Sequence, residues 1–198
     1  MAQTVTALFD RYEDASAAVR NLETLGIPDS DISMVANNTE NWHTADQSSN
    51  APADAGIGAG IGAVAGGGAG LLAGLGIMAI PGVGPVVAAG WLVATAAGAV
   101  LGAAAGGATG GIVGALTTSG VPENQAHIYA EGVRRGGTLV TARVADHHLA
   151  DANAILERSR VNVGMRGNAY RQAGWSGFDA DAPVYTEEQV RRERGLYL

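Results

Sequence analysis

The sequence predicts an α+β fold: a sheet-and-helix domain split in two by a long helical hairpin. Three observations carry this expectation. On both flanks, short runs of alternating apolar residues are separated by stretches with apolar residues at helical spacing. No charged side chain occurs from Ala55 to Pro122, and within that gap glycine returns every fourth residue in two separate series.

Residues 1–36 supply the first half of the split domain. Val5, Ala7 and Phe9 alternate with polar neighbours as in a strand, and Ala15, Ala18, Val19, Leu22 and Leu25 then repeat at helical spacing until Gly26 stops the helix. Ile32 to Ala36 is a second apolar strand. Residues 37–54, rich in Asn, Ser, Thr and Asp, read as a polar linker into the insertion, residues 55–117. Residues 118–164 supply the second half. Pro122 to Arg135 reads as a helix that buries Ala126, Ile128, Tyr129 and Val133; a Gly136-Gly137 turn, a strand from Thr138 to Val144, a helix from Ala150 to Arg158 and a short strand from Val161 to Val163 follow. Phe9-Asp10, Asp14-Ala15 and Ala18-Val19 are echoed by Val144, Asp146, Asp151-Ala152 and Ala154-Ile155. Two such strand-helix-strand units make a ferredoxin-like sandwich, with helices on one face of an antiparallel sheet. In the tail, residues 165–198, Thr186-Glu187-Glu188-Gln189 forms a capping box for a short helix through Arg194. Both a solvated tail and a latch onto the domain or a neighbour are compatible with it.

The insertion is the most distinctive part of the chain. Gly58, Gly62, Gly66, Gly70 and Gly74 form one series; Gly98, Gly102, Gly106, Gly110 and Gly114 form the other, with Gly90 in line ahead of it. On helices each series is a side-chain-free ridge, the small-xxx-small pattern of helices that associate closely in membranes. Pro81, Gly82, Gly84 and Pro85 mark the turn between the two arms. The arms, Gly56 to Ile80 and Val86 to Thr117, would span roughly 37 Å and 48 Å at about 1.5 Å per residue. Both lengths exceed the ~30 Å hydrocarbon core of a bilayer. A transmembrane glycine-zipper hairpin is therefore expected, with Trp91 either an interfacial anchor or a core residue.

The net charge is −7, lysine is absent, and the twelve arginines are interspersed with acids, so no basic stripe marks a nucleic-acid partner. Without cysteine there are no disulfides, thiolate metal sites or cysteine nucleophiles. Residues 1–9 read as a strand rather than a secretory leader, which places the folded domain in the cytoplasm. Three loose dinucleotide-like glycine patterns, beginning at Gly60, Gly68 and Gly74, lack the ribose-binding acid about twenty residues later; the next acid is Glu123. His147-His148 beside Asp146 and Asp151 lacks the i, i+4 arrangement of helical metal ligands, and His43 and His127 read as structural or exposed. No serine or threonine sits in the context of an activated nucleophile. Neither a catalytic residue nor a cofactor or metal site is expected.

Val5 to Val35, with Phe9-Asp10, Asp14-Ala15, Leu25-Gly26-Ile27 and Ile32-Ser33-Met34-Val35, resembles the general stress protein 17M-like domain of bacteria. Gly136-Gly137-Thr138-Leu139-Val140 and the helix from Asp151 to Arg158 resemble its second half, and the likeness spans roughly residues 4 to 164. The resemblance implies a stress-associated bacterial protein, often with a glycine-rich hydrophobic insertion, and supplies no catalytic residues. With the zipper it leads to a non-enzymatic homo-oligomer of the bacterial inner membrane that organises or protects the envelope, with lipid as its partner. The alternative is a cytoplasmic self-assembling particle whose shared hydrophobic interior holds lipid or another apolar molecule.

Overall fold

The computed structural model describes residues 2–43, 71–93, 95 and 111–197. Its centre is a five-stranded antiparallel sheet in the order β1-β5-β2-β4-β3. Strand β1 (Ala2–Phe9) runs into helix α1 (Tyr12–Thr24), which returns the chain to β2 (Ile32–Asn37); β5 (Thr138–Ala145) lies between β1 and β2, antiparallel to both. The register is continuous across the centre, with Ala142 opposite both Val5 and Ile32. An α+β class is thus correct.

Alternation along the strands builds two cores. Val5, Ala7 and Phe9 of β1, with Ile32, Met34, Val140 and Ala142, face α1 and α4 (Leu149–Glu157). Leu8, Val35 and Leu139 point the other way, toward α2 (Gly111–Thr118) and α3 (Glu123–Arg134). Each fully buried Leu contributes about 1.5–3 kcal/mol relative to an exposed one. Helices therefore cover both faces of the sheet rather than the single face expected. The apolar side of α3, through Ala126, Tyr129, Ala130 and Val133, and the uncharged α2, through Ile112, Ala115 and Leu116, need a second sheet face to bury against. The expected strand at Val161–Val163 is reduced to one backbone bond, Val161 N–H to the Leu8 carbonyl at 2.7 Å, because the Asn162 side chain caps Met165 N–H and starts α5 (Val163–Gln172) there.

The largest correction falls on the insertion. Residues expected to end one long helix and begin another are strands: β3 (Gly76–Ile80) pairs with β4 (Gly84–Gly90), and β4 pairs with β2. Ile77, Ile80, Val83, Val86 and Val87 are β-branched residues that suit a pleated, half-buried surface. Between the strands, Pro81 and Gly82 occupy the central positions of a tight turn closed by Val83 N–H on the Ile80 carbonyl at 3.0 Å, with Gly82 at φ 71°. Proline first and positive-φ glycine second is the composition of a type II turn. Among the described residues no helix is long and apolar enough to cross a membrane. The transmembrane hairpin, the membrane-protein function and the inner-membrane location expected from the sequence are corrected accordingly.

Candidate functional site

Of the glycines predicted to pack helices, Gly58, Gly62, Gly66, Gly70, Gly98, Gly102, Gly106 and Gly110 lie outside the described residues. The other three are not brought together as one ridge. Gly74 ends a 3₁₀ turn (Leu71–Gly74), Gly114 lies in α2, and Gly90 ends β4 where a Cβ would fall on the Ile32 carbonyl and Ser33 backbone. Gly90 thus serves close strand approach rather than helix contact. Trp91 is half-buried, donates its indole N–H to the Asp31 carbonyl at 3.1 Å and carries the Arg143 guanidinium 3.8 Å over its ring. These contacts give Trp91 a packing role at the end of β4.

Of the turn residues, Pro81 is exposed, whereas Gly82 and Gly84 lie beneath the C-terminal segment. A Cβ on Gly82 would stand 2.6 Å from both Ala180 Cα and the Asp179 carbonyl, and one on Gly84 would overlap the Val184 side chain. Pro85 accepts Asn38 N–H at 2.9 Å through its carbonyl, tying the start of β4 to the end of β2. The tail is consequently a strap, not a solvated extension. Phe178 N–H donates to His127 Nδ1 at 3.2 Å and the Phe178 ring packs on the α2–α3 core. Arg134 donates to the Pro183 carbonyl at 2.8 Å and stacks 4.8 Å from the centre of the Tyr185 ring. The strap ends in α6 (Glu187–Gly195), begun by the Thr186–Gln189 capping box and anchored by the fully buried Val190.

An ion-pair network fastens this helix to the end of the sheet. Glu131 is fully buried, and its carboxylate accepts Arg135 Nε at 2.7 Å and Arg134 Nη1 at 3.3 Å. Arg135 continues to Glu193 of α6 at 2.9 Å and lies 4.2 Å over the Tyr170 ring. Burial works against the Arg135 charge, but the two carboxylates more than offset it and hold the guanidinium above its ordinary range. Asp10, at the end of β1, takes both Arg166 terminal nitrogens at 2.9 and 2.8 Å, and Arg166 sits 3.5 Å over the Tyr197 ring. Glu40 takes Arg194 at 2.6 Å. Burial pushes the Tyr170 hydroxyl up to about 12 against the pull of Arg166 and Arg135.

Beside this network a cleft of about 440 Å³ opens between the ends of β1 and β2, with Asp10, Tyr12, Glu13, Asn37, Glu40, Trp42 and Arg194 on its walls. Asp10 and Glu40 are committed to arginines, Arg166 and Arg194. Asn37 is committed as well: its amide donates to the Val133 carbonyl at 3.1 Å and its side-chain oxygen accepts Thr39 N–H at 3.0 Å. The arrangement holds loops together. Among the described residues no three His, Asp or Glu side chains converge as a metal site. His147 and His148 contact each other, ring centres 4.1 Å apart, in the 3₁₀ turn before α4.

Chemically the most available feature is the outer strand of the sheet. Among the described residues nothing pairs with the far side of β3, whose sequence Gly76-Ile77-Met78-Ala79-Ile80 bears no charge and exposes 43% of Ile77. Sequence reasoning missed this edge by assigning the segment to a helix; its signal was the run of β-branched residues about a Pro-Gly turn. It also missed the pairs Asp10–Arg166, Glu40–Arg194 and Arg135–Glu193, which join residues far apart in the chain and leave no local pattern. No family model, curated protein or solved structure matches the chain.

Proposed function

We propose that this chain is a non-enzymatic self-assembling protein, whose uncharged insertion supplies the apolar surface shared between copies. The observation that carries the reading is the β3 edge: an uncharged strand with an exposed isoleucine, drawn from the insertion and presented at the margin of the sheet. Natural sheets shield such edges with lysine, proline or bulges because an open edge templates pairing with another chain. This one has none of these within the strand. The commitment of Asp10, Glu40 and Glu131 to arginines supports a structural rather than catalytic network.

The β1-α1-β2 unit and the inserted β5, followed by α4, are consistent with the core of a ferredoxin-like domain. In that reading the last strand has shrunk to the Val161–Leu8 bond, and α2 and α3 are additions on the second face. The resemblance of residues 4 to 164 to the general stress protein 17M-like domain extends the proposal to a bacterial stress-associated assembly, with lipid or another apolar molecule in the interior between copies. Light scattering on the full chain over a wide concentration range tests this. A discrete oligomer is expected, and extraction with organic solvent followed by mass spectrometry identifies any apolar content. A monomer at every concentration overturns the reading.

A further inference from the structure

We propose that the contact between copies is a two-fold, antiparallel pairing of β3 with β3 of a second chain, centred on Met78, which joins two five-stranded sheets into one of ten strands. The proposal rests on the assembly reading above and specifies its interface. Hydrogen-bond direction alternates along an antiparallel strand. Because the Pro85 carbonyl is engaged by Asn38 on the β2 side, Val86 directs its backbone groups toward β3, where it lies opposite Met78. Met78 therefore points its own N–H and carbonyl back at β4. Ile77 and Ala79 point theirs outward.

Three properties select a second copy of this strand as the occupant. Two outward-facing residues separated by one are self-complementary under a two-fold axis through Met78: Ile77 meets Ala79 of the second chain, and Ala79 meets its Ile77, making four backbone hydrogen bonds. The side chains at those positions are a large residue opposite a small one, both exposed on the same face. The chain carries a net charge of −7, so two copies repel over most of their surface, whereas nothing from Ala55 to Pro122 is charged and this edge brings no like charges together.

The absence of cysteine makes the register directly measurable. At the two-fold axis the two Met78 residues form a non-hydrogen-bonded pair, with Cα atoms about 4.5 Å apart, within disulfide reach. Met78→Cys in the full chain should form a covalent dimer nearly quantitatively under mild oxidation. Gly76→Cys, two residues off the axis with room for a side chain, places its sulfurs about four residues or ~13 Å apart and should not crosslink. Ala79→Pro removes an outward N–H that β4 does not use, so the fold should persist while the native mass falls to half or less. The pairing is overturned if Gly76→Cys crosslinks as efficiently as Met78→Cys. It is equally overturned if Ala79→Pro retains the parental oligomeric mass. In both outcomes an oligomeric parent leaves the assembly reading standing, whereas a monomeric parent removes both.

Discussion

Replacing Glu131 by leucine tests whether the buried network, rather than apolar contact alone, holds the C-terminal strap. The substitution approximately keeps volume but deletes the one carboxylate shared by Arg134 and Arg135, whose side chains are each only 12% exposed. Removing one partner of a buried ion pair costs about 3–5 kcal/mol, since the charge left behind stays desolvated. Here some compensation remains. Arg135 keeps Glu193 at 2.9 Å and the Tyr170 ring, and Arg134 keeps the Pro183 carbonyl at 2.8 Å and the Tyr185 ring. The loss should therefore lie near the lower end, about 3 kcal/mol, and with a urea slope of ~2 kcal/mol/M the unfolding midpoint should fall by ~1.5 M. Glu157→Gln is the control: Glu157 pairs with Arg160 at 2.9 Å, but the two side chains are 58% and 46% exposed, and the effect should stay below about 0.5 kcal/mol. Combining Glu131→Leu with Glu193→Gln should give a non-additive result, with a coupling of about 0.5–3 kcal/mol through Arg135. An unfolding midpoint of Glu131→Leu at or above that of the parent would refute the reasoning, because the carboxylate would then contribute nothing net against its own desolvation.

Gly82→Ala should loosen the strap. It adds a Cβ at φ 71° against Ala180 and Asp179, so amide exchange at Phe178 should accelerate at least tenfold, whereas Gly26→Ala, at φ 94° with open space around it, should cost only the ~1–2 kcal/mol of a left-handed backbone without freeing the strap. Equal exchange at Phe178 in the two variants would exclude the contact. Alkali should act through Tyr170. Its pKa is raised when folded to about 12 from an ordinary 10, so the stability it confers is intact below pH ~10 and is lost as pH rises toward ~12, about 2–3 kcal/mol in all. Tyrosinate absorbance followed with near-ultraviolet circular dichroism should show a class of late-titrating tyrosines that ionises together with loss of tertiary signal, and Tyr170→Phe should remove one member of it.

The flanks were legible because local rules govern them. The alternation Val5, Ala7, Phe9 and the helical spacing from Ala15 to Leu22 correspond to β1 and α1; the Thr186–Gln189 box starts α6; Gly136-Gly137 turns α3 into β5. The docking of α6 was not legible, for its partners Arg135 and Gly136 are more than fifty positions away. Nor was the second layer of helices. The apolar positions of α3 show that one side is buried, but sequence spacing does not say which face of the sheet receives it.

The misreading of the insertion has a more general cause. Residues four apart lie along one ridge of a helix, but because strand side chains alternate with a period of two they also lie on one face of a strand. A four-residue glycine repeat therefore does not by itself choose between the two. What distinguishes them is the intervening residues and the turn: β-branched side chains at Ile77, Ile80, Val83, Val86 and Val87, packed within a few positions of Pro81-Gly82, give short arms closed by a tight turn. In a helical hairpin the uncharged side chains would need a neighbouring helix or lipid on every side. In the strand hairpin most are shielded by the protein's own layers, for Val83, Val86, Val87 and Ala88 are buried while Ile77 and Ala79 remain exposed at the margin. In the pairing proposed above, the lack of charge along β3 lets two sheet edges meet without like charges facing each other.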